Sequence, residues 1–335
     1  MVESKEAIIL GIEGTAHTAG ISVIEGKRIL SDVQAIFQPK EGGIHPREAA
    51  RFLGQNIPKL IHEAIAKTNL QPEDLSAIAF SQGPGLGPCL RAAATAARAL
   101  ALYLEIPLLG VNHCVAHVEL GKLLTEAADP ITLYVSGGNT QIIGFGHGRY
   151  RVLGETLDIA VGNALDSIAR GLGLHHPGGP LIEKYAQKGK RLLSLPYPIK
   201  GMSLSYSGFV TAATRLYHEQ QGKLEDLCFS IQEYAFGMLA EVTERAISCT
   251  EKKEVLLTGG VAANKRLREM IENVAKEQEV SFYCVPPRLA GDNGVMIAWT
   301  GKLLYDSKTI LPIPRSQVIP RWRIDEVSIP WLTNL

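Results

Sequence analysis

The sequence predicts an α/β protein made of two related lobes with a cleft between them. Residues 7–26 consist of two apolar runs separated by a short turn, and residues 131–146 repeat that pattern. Apolar runs around a Gly-, Thr- or Asn-containing turn are typical of a β-hairpin. Each hairpin is followed by strands that alternate with helices, which indicates parallel sheet with crossover helices. The repetition therefore predicts two lobes of the same architecture.

In the first half, apolar residues of 47–68 recur at the three-and-four spacing of an amphipathic helix. The elements predicted after it are a strand at 77–80, an Ala-rich helix at 90–103 and a strand at 107–111. The second half ends in the same order, with strands at 255–257 and 282–285 and helices at 264–276 and 293–304.

The domain organisation follows from these elements. We assign 1–128 to the first lobe and 129–306 to the second, with a mainly helical insertion at about 159–251. The tail, 307–335, has no clear periodicity, and we predict no element in it.

Composition limits the partners of this 335-residue chain. Hydrophobic residues make up 46%, enough to bury a core, and 34 basic residues balance 34 acidic ones. Zero net charge gives no broad field, so a polyanion must be held by a local patch or by another subunit. The N-terminus has early acids and no long apolar run, and the apolar stretch 92–111 is interrupted by charges and proline. We therefore expect a soluble cytoplasmic protein with no membrane contact.

The cysteines indicate a reducing compartment. The chain has five cysteines, scattered and without a C-x-x-C pair: Cys89, Cys114, Cys228, Cys249 and Cys284. Such a set argues against a disulfide framework and against a cysteine-based zinc site.

The motif HCVAH places His113 and His117 four residues apart. On a helix these imidazoles share one face and can bind one metal ion. The chain has nine histidines, so this spacing also arises by chance. Cys114 stands where the zinc-protease pattern HExxH has its general base. The motif alone leaves metal binding and coincidence both open.

Glycine-rich turns are candidates for phosphate contact. Residues 81–88 follow a strand and precede a helix, which suits either phosphate contact or close packing of the helix on the sheet. The turn 136–140 is either an anion-binding nest or a type I′ hairpin turn without a ligand. Residues 259–265 resemble a phosphate-binding P-loop but lack its last Gly and its Ser/Thr, so we reject that interpretation.

Two further loops precede predicted helices. The segment 175–180, followed by Glu183, is either a plain turn or a place where glycine lets a ligand approach closely. Asp292 opens the last predicted helix, as an N-cap or as an oxygen ligand for a metal.

Basic residues form three clusters, which are either solvated faces or contacts for nucleic acid. They are Lys184, Lys188, Lys190 and Arg191; Lys265, Arg266 and Arg268; and Arg315, Arg321 and Arg323.

Several of these segments, taken in order, carry a resemblance to a known family. They are Gly11–Thr18, Gly42–Ala50, Ser81–Arg91, Asn112–His117, Tyr134–Gln141, His176–Pro180, Gly259–Arg268 and Ala290–Gly301. They resemble the tRNA N6-adenosine threonylcarbamoyltransferase family, formerly called O-sialoglycoprotein endopeptidase. The resemblance is strongest to its archaeal and eukaryotic branch, the catalytic subunit of KEOPS, and it extends over nearly the whole chain.

The resemblance implies two ribonuclease-H-like lobes of the actin, sugar-kinase and Hsp70 type, with a nucleotide cleft between them. It implies transfer of a threonylcarbamoyl group from its adenylate to N6 of adenosine 37, in tRNAs that read codons beginning with A, with release of AMP. The implied partners are tRNA and three KEOPS subunits: a small kinase, a dimerising subunit and a tRNA-binding subunit.

The resemblance also implies a ligand set for one divalent metal ion, with two residues from each lobe: His113, His117, Tyr134 and Asp292. Imidazole, phenolate and carboxylate together suit iron, which we prefer, or zinc. As a Lewis acid the ion would activate the transferred group.

Further residues are implied to hold ATP or the threonylcarbamoyl-adenylate. The contacts to the adenylate are Tyr134, Val135, Ser136, Gly137 and Gly138. Asp166 and Glu183 would bind ribose hydroxyls, Gly179 would pack beside the adenine, and Asn264 would bond to it.

Two positions depart from the family pattern. Ser203 stands where the family has Asp, which puts the catalytic or nucleotide geometry in doubt. Residues 51–53 replace a His-rich stretch, which puts a tRNA or subunit contact in doubt.

Two other functions compete with the transferase. One is a non-catalytic ATP-switching scaffold of the actin or Hsp70 type, in which the metal is only structural. The other is a metalloprotease, against which the missing glutamate at position 114 counts.

Overall fold

The computed structural model describes residues 6–39 and 43–332. They fold into two compact units. The first contains the described residues up to Leu120, the segment His147–Tyr150 and those from Asp292 onward, and the second contains Gly121–Gly146 and Arg151–Gly291. The lobe boundaries given above stay a prediction. Gly42, which begins one of the family-like segments, lies outside the described residues.

A five-stranded mixed sheet forms the centre of the first unit, in the order β3-β2-β1-β4-β5. Its strands are β1 Ile8–Glu13, β2 Thr18–Glu25, β3 Arg28–Ile36, β4 Ala77–Gly83 and β5 Leu108–Asn112. β1 pairs antiparallel with β2 and parallel with β4. The predicted hairpin and the predicted parallel crossover are therefore both confirmed.

Three helices alternate with these strands along the chain: α1 Pro46–Ala66 follows β3, α2 Gly87–Tyr103 follows β4, and α3 His113–Thr125 follows β5. Of the six apolar positions that predicted α1, four are buried, Leu53, Ile57, Leu60 and Ala64, and two are partly buried, Ala50 and Ile61. α2 presents small alanines to the core, so it lies close to the sheet.

The second unit repeats the plan around a sheet in the order β12-β11-β6-β7-β8. Its strands are β6 Ile131–Val135, β7 Thr140–Gly146, β8 Arg149–Glu155, β11 Glu254–Thr258 and β12 Ser281–Cys284. Residues 159–251, for which we predicted a mainly helical insertion, contain four of the unit's helices and the short strands β9 Ile199–Lys200 and β10 Ser203–Leu204. The helices are α4 Val161–Gly171, α5 Gly178–Ala186, α6 Ser207–His218, α7 Leu224–Ser248, α8 Lys265–Glu277 and α9 Pro287–Ala290.

Asp158 ties the loop before α4 to the start of α6. Its carboxylate accepts the backbone N–H groups of Ile159, Tyr206 and Ser207, and the hydroxyl of Ser205. Burial favours the neutral acid, but these hydrogen bonds outweigh it and lower the pKa of Asp158 below its ordinary 3.8.

We expect Asp158→Asn to lower the free energy of unfolding by about 1–3 kcal/mol at neutral pH. In the variant, the three backbone amides that donate to Asp158 lack a charged acceptor. A group with a depressed pKa stabilises the fold fully above its unfolded pKa and loses that contribution as the pH falls. The difference between wild type and variant in urea unfolding should therefore shrink on acidification from about pH 7 to about pH 3. A difference that does not change with pH would contradict this assignment.

The last helix, α10 Gly294–Asp306, packs directly on the sheet of the first unit. Glycines make this close approach possible. A Cβ added at Gly11 of β1 would lie 2.4 Å from the backbone nitrogen of Ala298 and 2.5 Å from the carbonyl oxygen of Gly294. Since both contacts are to backbone, only a shift of the helix would relieve them.

Gly11→Ala is accordingly expected to destabilise the first unit by at least about 1–3 kcal/mol, measured by urea or thermal unfolding. Gly54→Ala in α1 is the matched control, because a Cβ there meets nothing within 4 Å. Removing a helical glycine at an open position should stabilise by about 0.5–1 kcal/mol. Equal effects of the two variants would show that the packing of α10 does not depend on Gly11.

The C-terminal segment is one for which we predicted no element, and its described part, up to residue 332, contains only short 3-10 turns: Ile313–Arg315, Ile324–Glu326 and Pro330–Leu332. It is held by side chains of the first unit. Gln82 Nε2 donates to the carbonyl of Gln317 at 2.7 Å, and Arg98 Nε donates to the hydroxyl of Ser316 at 2.7 Å. Among the described residues, no helix has the length and apolar composition needed to cross a membrane.

Candidate metal centre

Helix α3 brings two histidines side by side. Asn112, at the end of β5, caps the helix by accepting the backbone N–H groups of Cys114 at 3.0 Å and Val115 at 3.1 Å. The rings of His113 and His117 lie one turn apart on the same face, with centroids separated by 4.8 Å. Their exposed fractions are 5% and 1%. The prediction that both imidazoles share one helix face is confirmed.

Asp292 faces both imidazoles. Its Oδ1 lies 3.3 Å from Nε2 of His117 and 3.5 Å from Nε2 of His113. One donor atom from each of the three side chains lies within 4.8 Å of the others. All three residues belong to the first unit. The resemblance had implied that Asp292 belongs to the second lobe.

Asn293, the next residue, is the N-cap of α10, and its side chain accepts the N–H of Met296 at 2.9 Å. The interpretation of Asp292 as this cap is therefore wrong. The carboxylate of Asp292 is instead directed toward the histidines.

Glu13 contacts Nδ1 of His113, and the sequence did not predict a role for it. It ends β1 and is fully buried. Its Oε1 accepts the backbone N–H of Thr15 at 2.7 Å, and its Oε2 lies 3.2 Å from Nδ1 of His113. A carboxylate is an acceptor, so Nδ1 of His113 carries a hydrogen, and Nε2 is the nitrogen that faces Asp292 and that a metal ion would bind in place of a proton. The signal in the sequence was an acid at the end of an otherwise apolar strand.

Burial and opposing charges set the ionisation of this group. Burial disfavours the charged imidazole of His113, but the carboxylates of Glu13 and Asp292 outweigh it and raise its pKa to about 9. Burial lowers the pKa of His117. For Asp292, burial favours the acid form, but the neighbouring histidines, His17 included, lower its pKa. The buried carboxylate of Glu13 and the partly buried carboxylate of Asp292 thus favour a positive charge between them, which a bound cation supplies as well as a proton does.

The donor set fits a metal ion. Two histidines and one carboxylate with open positions are the ligands of non-haem iron and of three-ligand catalytic zinc sites. The thiol of Cys114 cannot replace the missing glutamate of a zinc protease. Burial, followed by the charges of Asp292 and Glu13, raises its pKa to about 12.

Tyr134, the fourth ligand implied by the resemblance, ends β6 in the second unit and is fully buried. Its hydroxyl accepts a hydrogen bond from Nδ2 of Asn139 at 3.3 Å. The structure places it beside the turn of the β6–β7 hairpin, and its role as a ligand stays a prediction.

That turn, residues 136–139, has four residues between the paired ends Val135 and Thr140. Neither Gly137 nor Gly138 has a positive φ, so the expected alternative of a type I′ turn is wrong. A Cβ on Gly138 would meet nothing within 4 Å, whereas one on Gly162 would lie 2.5 Å from the carbonyl oxygen of Ser136. The start of α4 therefore packs against the turn, and the two glycines stay exposed.

The other implied substrate residues lie around the start of α5 and α8. Asp166 Oδ1 accepts the N–H of Gly178 at 2.7 Å, and Glu183 Oε1 accepts the N–H of Lys265 at 2.9 Å. Asn264 caps α8 by accepting the N–H of Leu267. Each of these side chains thus organises a helix start within the second unit, and its predicted contact with the nucleotide stays a prediction.

Gly179 differs from these polar residues. A Cβ there would approach only Leu165, at 3.9 Å, so space is open beside this position. Ser203 lies in the short strand β10, and nothing in the structure explains why Ser rather than Asp stands there.

The glycine-rich loop of the first unit packs against the C-terminal segment. The N–H of Gly85 donates to the carbonyl of Pro320 at 3.1 Å, and that of Leu86 donates to Thr15 at 2.7 Å. A Cβ on Gly83 would lie 1.9 Å from the carbonyl oxygen of Ile319. These two donors are already used, which supports the close-packing interpretation of the loop, and phosphate contact by its other N–H groups stays a prediction.

Comparison with known proteins decides the family. The family model for TsaD, tRNA N6-adenosine threonylcarbamoyltransferase, matches residues 28–299. The chain belongs to this family. It is 52% identical to the enzyme of that name from Methanococcoides burtonii, over 97% of this chain and 98% of the relative. The corresponding protein from Archaeoglobus fulgidus is also 52% identical, over 97% and 99%.

Longer relatives also match this TsaD-family chain. It is 53% identical over 97% of its length to a probable bifunctional tRNA threonylcarbamoyladenosine biosynthesis protein of Methanothermobacter thermautotrophicus. The match covers 61% of that relative, so the chain spans about three fifths of the bifunctional protein.

Solved structures show the fold. HypF from T. kodakarensis matches with a TM-score of 0.64 at 18% identity, over 90% of this chain and 48% of HypF. Component A of (R)-2-hydroxyglutaryl-CoA dehydratase from Acidaminococcus fermentans matches with a TM-score of 0.56 at 14% identity, over 88% and 98%. With the two five-stranded sheets, these likenesses confirm the predicted α/β class of the actin type.

Proposed function

We propose that the chain transfers the threonylcarbamoyl group of threonylcarbamoyl-adenylate to N6 of adenosine 37 in tRNAs that read codons beginning with A. In this reaction N6 bonds to the carbamoyl carbon, and the bond between that carbon and the phosphate oxygen breaks. AMP leaves, and its phosphate accepts the proton from N6. The buried group of His113, His117 and Asp292, in a chain that belongs to the transferase family, is the observation that carries the proposal.

In the proposed site, His113, His117, Asp292 and Tyr134 hold one divalent ion, with iron preferred over zinc. When bound, the ion supplies Lewis acidity to the carbonyl that N6 attacks. Glu13 keeps the hydrogen of His113 on Nδ1, which leaves Nε2 available as a ligand.

The residues proposed to hold the adenylate, or ATP, belong to the second unit. The exposed turn at Gly137 and Gly138 offers backbone N–H groups to an anion. Asp166 and Glu183 accept hydrogen bonds from the ribose hydroxyls, because a carboxylate oxygen has two lone pairs. Gly179 leaves room for the adenine, and the amide of Asn264 bonds to its edge. Val135 and Ser136 complete this set.

The proposed partners are tRNA and the KEOPS subunits, namely a small kinase, a dimerising subunit and a tRNA-binding subunit. The insertion helices α4–α7 and the helices α1 and α2 are the proposed docking faces. A tRNA-modifying enzyme of this kind works in the cytoplasm.

The test is transfer from synthetic threonylcarbamoyl-adenylate to an unmodified tRNA with the anticodon UAU, with the partner subunits absent and present. We expect incorporation into the tRNA and release of an equal amount of AMP, both measured by mass spectrometry. A tRNA with guanosine at position 37 is the control and should accept nothing. ATP binding without any transfer, even with partners, would overturn the proposal in favour of the ATP-switching scaffold.

A further inference from the structure

The structure separates the three basic clusters of the sequence. In the second, Arg266 pairs with both carboxylate oxygens of Glu233, at 2.7 and 2.8 Å. Arg268 donates to the carbonyls of Ala262 and Ala263. In the third, Arg323 bonds to Asp325 at 3.1 Å. These three guanidinium groups therefore stabilise the fold, whereas Lys265, Arg315 and Arg321 of the same clusters are exposed.

The first cluster is different. Its members are the exposed side chains of Lys184, Lys188, Lys190 and Arg191, which we call the α5 basic surface. Within the described part of the chain, the three lysines have no carboxylate oxygen within 4 Å. Their charges are thus presented to solvent rather than paired.

The backbone that carries this surface is fixed. Asp226 Oδ1 accepts the N–H of Lys190 at 2.8 Å and that of Arg191 at 3.0 Å. The N–H of Leu193 donates to the hydroxyl of Ser230 at 2.7 Å. A Cβ on Gly189 would lie 2.4 Å from the carbonyl oxygen of Glu225, so the loop packs tightly on the start of α7. These contacts hold the cations in one place without using their charged ends.

Acidic groups also lie near this surface. Glu225 and Asp226 are in the first turn of α7, and the exposed Lys223 precedes them. Asp226 directs a carboxylate oxygen to two backbone amides, and Glu183 accepts the N–H of Lys265. The four cations of the α5 basic surface and Lys223 outnumber the acids Glu183, Glu225 and Asp226. The region is therefore positive, in a chain whose net charge is zero.

We propose that the α5 basic surface binds the phosphate backbone of the substrate tRNA. This inference rests on the proposed function, since it names the contact that holds that substrate. Exposed, unpaired lysines on a fixed backbone suit phosphate groups, because contacts of this kind position a nucleic acid without reading its bases. A chain with no net charge has no long-range field, so such a patch is where a polyanion is held.

The test is binding of a fluorescein-labelled, unmodified tRNA transcript to the full chain, from about 0.05 to about 0.3 M salt. The variant is K188Q/K190Q/R191Q, which leaves Lys184 intact because it adjoins Glu183 of the proposed ribose site. Each phosphate contact contributes a slope of about −0.7 to −0.9 to log K against log salt, so the triple variant should lose about two units of slope. We expect its Kd to rise at least about tenfold at roughly 0.1 M salt.

The matched control is R215Q/K253Q/K276Q, which removes the same charge from exposed positions elsewhere on the second unit. Its Kd should stay within about twofold of wild type. Equal losses in both triple variants would mean that only total charge matters and would overturn the proposal. A wild-type salt slope in K188Q/K190Q/R191Q would also overturn the proposal. So would a wild-type chain that does not bind tRNA at low salt.

Steady-state transfer separates this inference from the proposed function. We expect K188Q/K190Q/R191Q to raise KM for tRNA while kcat at saturating tRNA is unchanged. If wild type transfers and the variant keeps its KM and salt slope, only the tRNA surface is disproved. If wild type binds tRNA through this surface but transfers nothing in the presence of partners, the proposed function fails and the binding surface stands.

Discussion

His113→Ala and Asp292→Asn are each expected to abolish metal binding and to reduce threonylcarbamoyl transfer by more than about a hundredfold. The magnitude follows because a Lewis-acid ion contributes several kcal/mol to a transition state, and each 1.4 kcal/mol is about tenfold in rate. Metal content is measured after loading with iron(II) or zinc(II) and removal of excess ion. Transfer is measured in a single turnover with saturating tRNA and adenylate.

Two variants are needed because His113→Ala also leaves the buried Glu13 without its neighbour, which destabilises the fold. Asp292→Asn keeps the size of the side chain and removes one ligand charge. His62→Ala, at an exposed position of α1, is the control and should retain metal and transfer. If the metal is lost while transfer persists, the ion has no part in the chemistry, although the reaction itself stands.

Much of this centre could be predicted from short-range pattern. The spacing of His113 and His117 places them on one face of any helix, so their proximity required only that the helix form. Asp292 was ambiguous because Asp and Asn are both good N-caps and stand next to each other. Only the structure shows that Asn293 takes the cap and leaves Asp292 to face the histidines.

Other features depend on contacts far apart in sequence. In the glycine-rich loop at 81–88, the N–H of Gly85 is bonded to the carbonyl of Pro320, more than two hundred residues away, which the local sequence pattern does not indicate. A segment without periodicity, such as the tail, gives no sign of where it packs. Glu13 was missed for a related reason: a buried carboxylate is explained only by its partner, and His113 lies 100 positions along the chain.

Glu13→Gln is expected to weaken metal affinity by about 10- to 100-fold, the usual cost of losing a carboxylate behind a ligating histidine. The amide is nearly the same size, so the fold should be retained. Its carbonyl oxygen takes over the N–H of Thr15, and its NH2 group then faces Nδ1 of His113. A donor at that position forces Nδ1 to accept, which moves the ring hydrogen to Nε2, the nitrogen that faces Asp292.

The measurement is a titration of the metal-depleted chain with zinc(II) or iron(II) at fixed pH. Binding is monitored by calorimetry or by competition with a chelator. Glu119→Gln is the matched control, because Glu119 is also a buried carboxylate on α3, two residues beyond His117. Its Oε1 accepts from the hydroxyl of Tyr150 at 2.6 Å and from the indole of Trp331 at 3.0 Å. That variant should lose stability but keep metal affinity within about threefold. Wild-type affinity in Glu13→Gln would show that His113 presents Nε2 without help from the carboxylate behind it.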